Sequence, residues 1–176
     1  MRRTALSFAA VTALLSILTG CGGGEEKREY AIPDTLCGIA VDPEAFAPLF
    51  PPGKTLTVTE KDYATATSCN IVVDKKSFAT TTRTWLEEGR TTAYFATSLS
   101  LDPPKRSAEA DRYRYSDREA FAKTQKCVDS QHKQELYTAV QIWDKTYKDA
   151  DAMKRLISSF TTEVEKSAAC TAGVEE

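Results

Sequence analysis

The chain has 176 residues, of which 41% are hydrophobic and 27% are charged. This is the composition of an ordinary folded domain rather than of a disordered segment, and the length suits one domain. The formal net charge of -2 argues against non-specific nucleic-acid binding, which draws on a basic surface. His132 is the one histidine, so a multi-histidine metal site is excluded.

The first twenty residues have the pattern of an export signal. Arg2 and Arg3 precede a mostly apolar run that ends at Leu18, and this order is typical of a secretory signal peptide. The run is shorter than the ~20 apolar residues that a transmembrane helix needs. The sequence therefore predicts a signal peptide over residues 1–20.

The end of this segment, Leu18-Thr19-Gly20-Cys21, resembles the lipobox of bacterial lipoproteins. The resemblance implies that the sulfur of Cys21 takes a diacylglycerol and that Cys21 becomes the first mature residue. Two or more acyl chains give stable anchoring, so we expect a lipid anchor at the outer face of the cytoplasmic membrane. The alternative is a secretory signal with an unrelated cysteine near its end.

Residues 21–31 have the composition of a tether. Three glycines, Gly22-Gly23-Gly24, are followed by a fully charged run at 25–29, and such segments are flexible and solvated. A single domain is therefore expected over residues 32–176.

Four cysteines remain when Cys21 is assigned to lipid, and an even number in an exported domain predicts two disulfides. Three connectivities are possible. We favour Cys37–Cys69 and Cys127–Cys170, because each pair then joins neighbouring predicted elements. A zinc site is disfavoured because the four thiols are widely scattered, and no metal or cofactor is expected.

The first half of the domain predicts a short helix and then strands. Asp42-Pro43-Glu44-Ala45-Phe46 has a capping residue followed by proline at the first helical position. Alternating residues predict a strand around Leu56 and Val58, a second through Cys69, and a third over 78–86, with a turn at 74–77. Residues 91–99 fit either a strand or a helix.

The second half predicts a long loop over 100–116, and then a helix, a strand and a helix. Ser116-Asp117-Arg118-Glu119 has the form of a capping box, so a helix is expected over 117–127. Alternation predicts a strand over 136–143. An apolar stripe from Met153 to Val164 predicts a final helix capped by Asp151. The fold class is therefore α+β, an antiparallel sheet with packed helices in an α/β sandwich.

One segment combines cations and aromatic rings. Arg112, Tyr113, Arg114 and Tyr115 alternate, with Lys105 and Arg106 upstream. As a strand, the segment would offer arginines and rings to an anionic or sugar-containing ligand. The alternative is a solvated edge strand whose arginines are neutralised by nearby carboxylates, since alternating charge usually marks a solvated face.

No catalytic residues are expected. Ser130-Gln131-His132-Lys133 matches a Ser-x-x-Lys nucleophile motif, but the companion motifs of penicillin-binding enzymes are absent. The polar neighbours of His132 indicate a solvated loop.

The lipobox, the glycine tether and Leu36-Cys37-Gly38 before the capped helix at Asp42 resemble small actinobacterial envelope lipoproteins of unknown function. The resemblance implies a PsbP-like or sensor-type α/β sandwich and supplies no catalytic residues. We expect a non-enzymatic binding or sensor-like domain for a small molecule or glycopolymer. The alternatives are a module that docks on another envelope protein and a hydrolase of unfamiliar type.

Overall fold

Nine strands and three α-helices follow one another in the part of the chain that the structure describes, residues 27–171 of a computed structural model. The strands are β1 (Thr35–Leu36), β2 (Ile39–Ala40), β3 (Leu56–Asp62), β4 (Ala66–Val73), β5 (Lys76–Glu87), β6 (Arg106–Ala108), β7 (Tyr113–Tyr115), β8 (Glu119–Asp129) and β9 (Gln134–Ile142). The helices are α1 (Pro43–Phe46), α2 (Thr92–Leu99) and α3 (Ala150–Lys166). The predicted signal peptide and Cys21 lie outside the described residues.

Strands β3 to β9 form one antiparallel sheet in the order β3-β4-β5-β9-β8-β7-β6. Together with the packed helices this is the expected α+β fold with an antiparallel sheet. The predicted strands at Leu56, at Cys69 and over 78–86 are confirmed as β3, β4 and β5. The predicted turn lies between β4 and β5, where Asp74 and Lys75 both have positive φ, as a two-residue hairpin turn requires.

The strands β1 and β2 form a separate small hairpin that precedes α1. Cys37 and Gly38 are its two turn residues, with φ angles of 47° and 75°, a conformation for which glycine is well suited. The predicted helix at Asp42 is confirmed as α1, because the Asp42 carboxylate accepts from the Glu44 amide at 2.9 Å. A 3₁₀ turn, Ala47–Leu49, extends it.

The main core lies between one face of the sheet and α3. The predicted apolar stripe of α3 is confirmed, since Met153, Leu156, Ile157, Phe160 and Val164 are all buried. Full burial of such side chains contributes ~1.5–3 kcal/mol each, so this helix is a principal source of stability. Asp149, not the predicted Asp151, caps the helix by accepting from the Ala152 amide at 2.9 Å.

The predicted helix over 117–127 is wrong, because Glu119–Asp129 is the strand β8. The Ser116 hydroxyl does accept from the Glu119 amide at 3.0 Å, but such local bonds also form turns that precede strands. Ala120, Phe121 and Ala122 are all buried, which places apolar side chains on both faces of β8. The sheet is covered on both sides here, and burial on both faces outweighs the local helix signal.

Helix α2 settles the ambiguous segment over 91–99 and covers the second face of the sheet. Phe95 packs against Phe121 and Tyr137, with ring centroids 5.8 and 5.4 Å apart, in a second buried cluster. Within the predicted loop over 100–116, the structure has two short strands, β6 and β7.

Both favoured disulfides are confirmed. Cys37–Cys69 joins the β1–β2 turn to β4. Cys127–Cys170 joins β8 to a 3₁₀ turn, Ala168–Cys170, that follows α3. The second bond therefore links the last helix to a strand rather than to another helix.

The N-terminal segment contacts the domain earlier than Ile32, where the domain was expected to begin. Arg28 bridges to Gly53, and its guanidinium donates to the Ala47 carbonyl at 3.0 Å. The Glu29 amide donates to the Gly53 carbonyl at 2.8 Å. Contacts with the domain therefore extend at least to Arg28 within residues 27–171.

Candidate functional site

In the alternating segment, Arg112 directly precedes β7, and the other three residues form that strand, next to the edge strand β6. Tyr113 is 1% exposed and belongs to the main core, so a surface ligand does not reach its ring. Tyr115 is partly buried against the same core. Together with Lys105 and Arg106, Tyr115 also lines a shallow depression of about 340 Å³.

Arg112 is engaged with α3. Its Nη2 lies 3.0 Å from Oε1 of Glu165, and the two side chains are only 15% and 14% exposed. Its Nε donates to the Lys123 carbonyl at 3.3 Å, and the guanidinium lies over the ring of Tyr113 at 4.8 Å from the centroid. A second carboxylate, that of Glu109, lies 3.3 Å away. Arg112 thus connects β7, β8 and α3.

Arg114 is also paired within the chain. Its Nε lies 2.8 Å from Oδ1 of Asp111, in a contact of charges whose atoms are not aligned as a hydrogen bond. Its Nη1 donates to the Pro104 carbonyl at 3.4 Å. Both arginines of the segment therefore face carboxylates of the chain itself.

A larger groove, about 820 Å³, lies on the core side of the sheet at the end opposite to the β4–β5 turn. Among the described residues, the β1–β2 hairpin and the 3₁₀ turn after α3 border this groove. Its walls include Val58, Glu60, Tyr63, Arg83, Trp85, Leu136, Gly38 and Ala168. The volume falls in the range of small-molecule sites, ~300–1,000 Å³.

Arg83 is the central polar group of the groove. It lies in β5 opposite Thr67 of β4 and Thr138 of β9, and its side chain is 15% exposed. Its Nη2 donates to Oε2 of Glu60 at 3.4 Å. Burial lowers the pKa of the Arg83 guanidinium, and the nearby Glu60 and Asp62 carboxylates oppose that shift. Arg83 is charged at neutral pH, because arginine has a very high pKa.

This hydrogen bond is long and uses one of the five N–H donors that a guanidinium carries. Glu60, its partner, is 42% exposed, so the pair is open to competition from a bound carboxylate. A guanidinium binds a carboxylate or phosphate through two parallel hydrogen bonds. The site can therefore take an anionic group at Arg83.

Aromatic and apolar surfaces flank Arg83. Trp85 is two residues along β5, on the same face of the sheet, and Tyr63 in the β3–β4 turn is 54% exposed. The Cys37–Cys69 disulfide fixes the β1–β2 hairpin to β4 beside the groove. The arrangement combines a cation, a carboxylate and ring surfaces, which are the groups that orient a hydroxylated ring ligand.

Arg83 was not among the candidate residues predicted from the sequence. The available signal was one charged residue within a predicted strand, 78–86, that otherwise carries threonines, apolar residues and aromatic residues. A charged side chain on a largely covered strand is unusual unless it is paired or functional.

The side chains of the Ser-x-x-Lys match lie in the β8–β9 turn. The Nδ1 atom of His132 lies 2.7 Å from Oδ2 of Asp129, and the Asp129 carboxylate also accepts from the Gln131 and His132 amides at 3.0 Å each. These bonds hold the pKa of Asp129 below its ordinary value, the His132 amide contributing most. His132 therefore helps to hold the β8–β9 turn through its contacts with Asp129.

No family model, curated protein or solved structure matches the chain. Within residues 27–171, none of the helices has both the length and the apolar character to cross a bilayer. The same residues contain no group of three or more side chains placed to hold a metal ion.

Proposed function

We propose that this protein is a lipid-tethered, non-enzymatic domain that binds a small hydroxylated ligand carrying a carboxylate, such as a sugar acid or a unit of an acidic glycopolymer. Binding occurs in the groove around Arg83, outside the cytoplasmic membrane. The observation that carries the proposal is the half-buried guanidinium of Arg83, which has one long bond to Glu60 and lies in a groove flanked by Trp85 and Tyr63.

The export part of the proposal rests on Leu18-Thr19-Gly20-Cys21 and is supported by the disulfides. Two disulfides persist in an oxidising compartment and are rare in the cytosol. With the lipid on Cys21, the domain is held at the outer face of the membrane, where envelope glycopolymers are present.

The ligand part follows from the chemistry of the groove. Arg83 grips the carboxylate, Glu60 accepts hydrogen bonds from hydroxyls, and the rings of Trp85 and Tyr63 pack on the apolar face of a sugar ring. Glu60 also competes with the ligand for Arg83, so affinity for a carboxylate is moderate and depends on both residues.

A second candidate function is docking on another envelope protein. The observation that favours it is β3, a seven-residue strand at the edge of the sheet with mostly exposed side chains. An extended peptide can add to such an edge through main-chain hydrogen bonds.

The experiment for the groove is calorimetric titration of the protein with glucuronate and, separately, with glucose. We expect heat of binding with glucuronate and much less with glucose. Arg83→Met keeps the aliphatic stem and removes the donors, so it should abolish binding, because a buried charged contact contributes ~2–5 kcal/mol. Glu60→Gln should tighten binding, because it removes the competing carboxylate.

The matched control is Arg114→Met, which removes an arginine outside the groove. Unchanged glucuronate binding in Arg83→Met, or equal loss in Arg114→Met, contradicts the proposal. NMR resonances of β3 that shift on addition of an extended peptide, and not on addition of glucuronate, would favour docking on another envelope protein.

A further inference from the structure

The N-terminal segment attaches at one end of the sheet, and that end carries exposed apolar residues among lysines. We propose that this end, called here the anchor end, docks directly on an anionic bilayer surface and so fixes the orientation of the domain. The proposal rests on lipidation of Cys21, which is part of the proposed function, and goes beyond it by assigning a membrane-binding surface to the folded domain. The anchor end is defined by Gly53, Leu101, Trp143 and the lysines beside them.

The short tether between Cys21 and Arg28 limits how far the attachment point on the domain can lie from the bilayer. Arg28 is bridged to Gly53 and bonded to the Ala47 carbonyl, so the chain is fixed to the domain from this residue. Arg28 is seven positions after Cys21, and a fully extended chain spans at most ~3.6 Å per position, or about 25 Å. Gly53 therefore stays within about that distance of the acylated sulfur.

The strand register places Trp143 at the same end as Gly53. A Cβ at Gly53 would lie 2.7 Å from Val73 and 2.9 Å from the carboxylate of Asp74, so Gly53 packs against the end of β4 and its turn. The Trp143 amide donates to the carbonyl of Phe78 near the start of β5 at 2.8 Å. Because β4 and β5 are joined by this turn, both contacts lie at one end of the sheet.

Leu101 belongs to the same end. The side chain of Gln141, two residues before Trp143 in the chain, donates to the Leu99 carbonyl at 3.4 Å, which brings the segment after α2 to the end of β9. Leu101 is fully exposed. Trp143 is 47% exposed, and its Nε1 donates to Oγ1 of Thr80 in β5 at 2.9 Å, so only part of the indole is free to contact a bilayer. Tryptophan is enriched at membrane interfaces, where its indole lies at the level of the headgroups.

Lysines accompany these apolar side chains. Six exposed lysines lie in the segments at this end: Lys54, Lys75, Lys76, Lys105, Lys145 and Lys148. Carboxylates lie among them, and two of these, Asp74 and Asp144, accept hydrogen bonds from the amides of Thr55 and Thr146 at 2.8 Å. Asp102, Asp117 and Asp149 lie in the same segments, so this end carries both signs of charge. The lysine side chains are longer than those of aspartate and reach further from the sheet, where anionic lipids attract them.

Docking at the anchor end directs the groove away from the membrane. The groove is lined by the β3–β4 turn at Tyr63 and by the 3₁₀ turn after α3, and both lie at the opposite end of the sheet. A ligand in the envelope therefore has access to Arg83 while the domain is docked.

The two tryptophans of the chain report on the two ends separately. The full chain, processed and lipidated in a bacterial host, is reconstituted in phosphatidylcholine vesicles with phosphatidylglycerol and brominated acyl chains, which quench nearby indoles. In Trp85→Phe the remaining Trp143 should be quenched. In Trp143→Phe the remaining Trp85, in the groove, should not.

The lysines are tested in the Trp85→Phe background. Lys145→Gln with Lys148→Gln should reduce the ratio of docked to undocked protein by about fivefold per lysine removed. The matched control, Lys126→Gln with Lys133→Gln at the opposite end, should leave quenching unchanged. Omitting phosphatidylglycerol should reduce quenching of Trp143 as well.

Each outcome decides between the two proposals. A chain that does not float with the vesicles overturns the lipid anchor and the docking with it. A chain that floats but leaves Trp143 unquenched, or quenches Trp85 equally, overturns the docking alone. Loss of glucuronate binding bears on the groove and not on this surface.

Discussion

Arg112, directly before β7, and Glu165 on α3 form an ion pair at 3.0 Å in which the side chains are 15% and 14% exposed. The same Glu165 oxygen accepts from the Gln125 amide at 2.6 Å, so one carboxylate connects the last helix to two strands. This pairing removes Arg112 from the surface available to a ligand and assigns it a structural role.

We therefore expect Arg112→Met to destabilise the domain by about 2 kcal/mol, because it leaves the Glu165 carboxylate without its charged partner. Arg114→Met should cost at most about 0.5–1 kcal/mol, because Arg114 and Asp111 are more exposed. Urea unfolding followed by circular dichroism measures both values. Equal urea midpoints for the two variants would show that the Arg112–Glu165 pair stabilises the domain no more than the Arg114–Asp111 pair does.

The Cys127–Cys170 disulfide should contribute about 4 kcal/mol in the chain-entropy account, because it closes a loop with a sequence separation of 43. We expect the double variant Cys127→Ala, Cys170→Ala to lose that amount, with the end of α3 loosening first. Denaturant unfolding gives the free energy, and hydrogen exchange locates the loosened segment. A loss below about 1 kcal/mol would contradict this account.

Asp129 predicts a dependence of stability on acid pH. Hydrogen bonds from the His132 amide, the His132 ring and the Gln131 amide lower the pKa of this carboxyl in the folded state. A lowered folded pKa gives stability that is present above about pH 4, the ordinary value, and is lost as pH falls through the folded pKa. Asp129→Asn should therefore flatten part of the decline in unfolding free energy below pH 4. If Asp129→Asn leaves the decline of the unfolding free energy below pH 4 unchanged, this carboxylate does not contribute to it.

Lipidation of Cys21 predicts labelling with fatty acid in growing cells. Wild type should incorporate labelled palmitate and remain with membranes, whereas Cys21→Ala should do neither. The readout is gel fluorography of membrane and soluble fractions. Label retained by Cys21→Ala would show that the lipid is not attached at Cys21.

Periodicity and cysteine count were sufficient to predict much of this fold. The α3 stripe and the strands around Val58 and Cys69 followed from local patterns. The cysteine count predicted two disulfides and left three connectivities open, of which the favoured one is observed. The strand β8 did not, because its buried run at Ala120, Phe121 and Ala122 depends on helices that cover both faces of the sheet. That covering is a tertiary property, and the local Ser116–Glu119 signal favoured a helix instead.

The candidate site depended still more on tertiary structure. Arg112 and Arg83 are both arginines near aromatic residues in the sequence, but partners distant in the chain decide their roles. Glu165 is 53 residues from Arg112 and holds it, whereas Glu60 only partly engages Arg83. No local pattern indicates which arginine has donors left for a ligand.

The emission of Trp85 reports whether the groove around Arg83 binds a carboxylate ligand. In Trp143→Phe, Trp85 is the single tryptophan, and glucuronate bound at Arg83 should shift and saturate its emission. We expect a saturable shift that Arg83→Met abolishes, Glu60→Gln strengthens and glucose does not reproduce. An emission that glucuronate leaves unchanged, or a shift that persists in Arg83→Met, would contradict it.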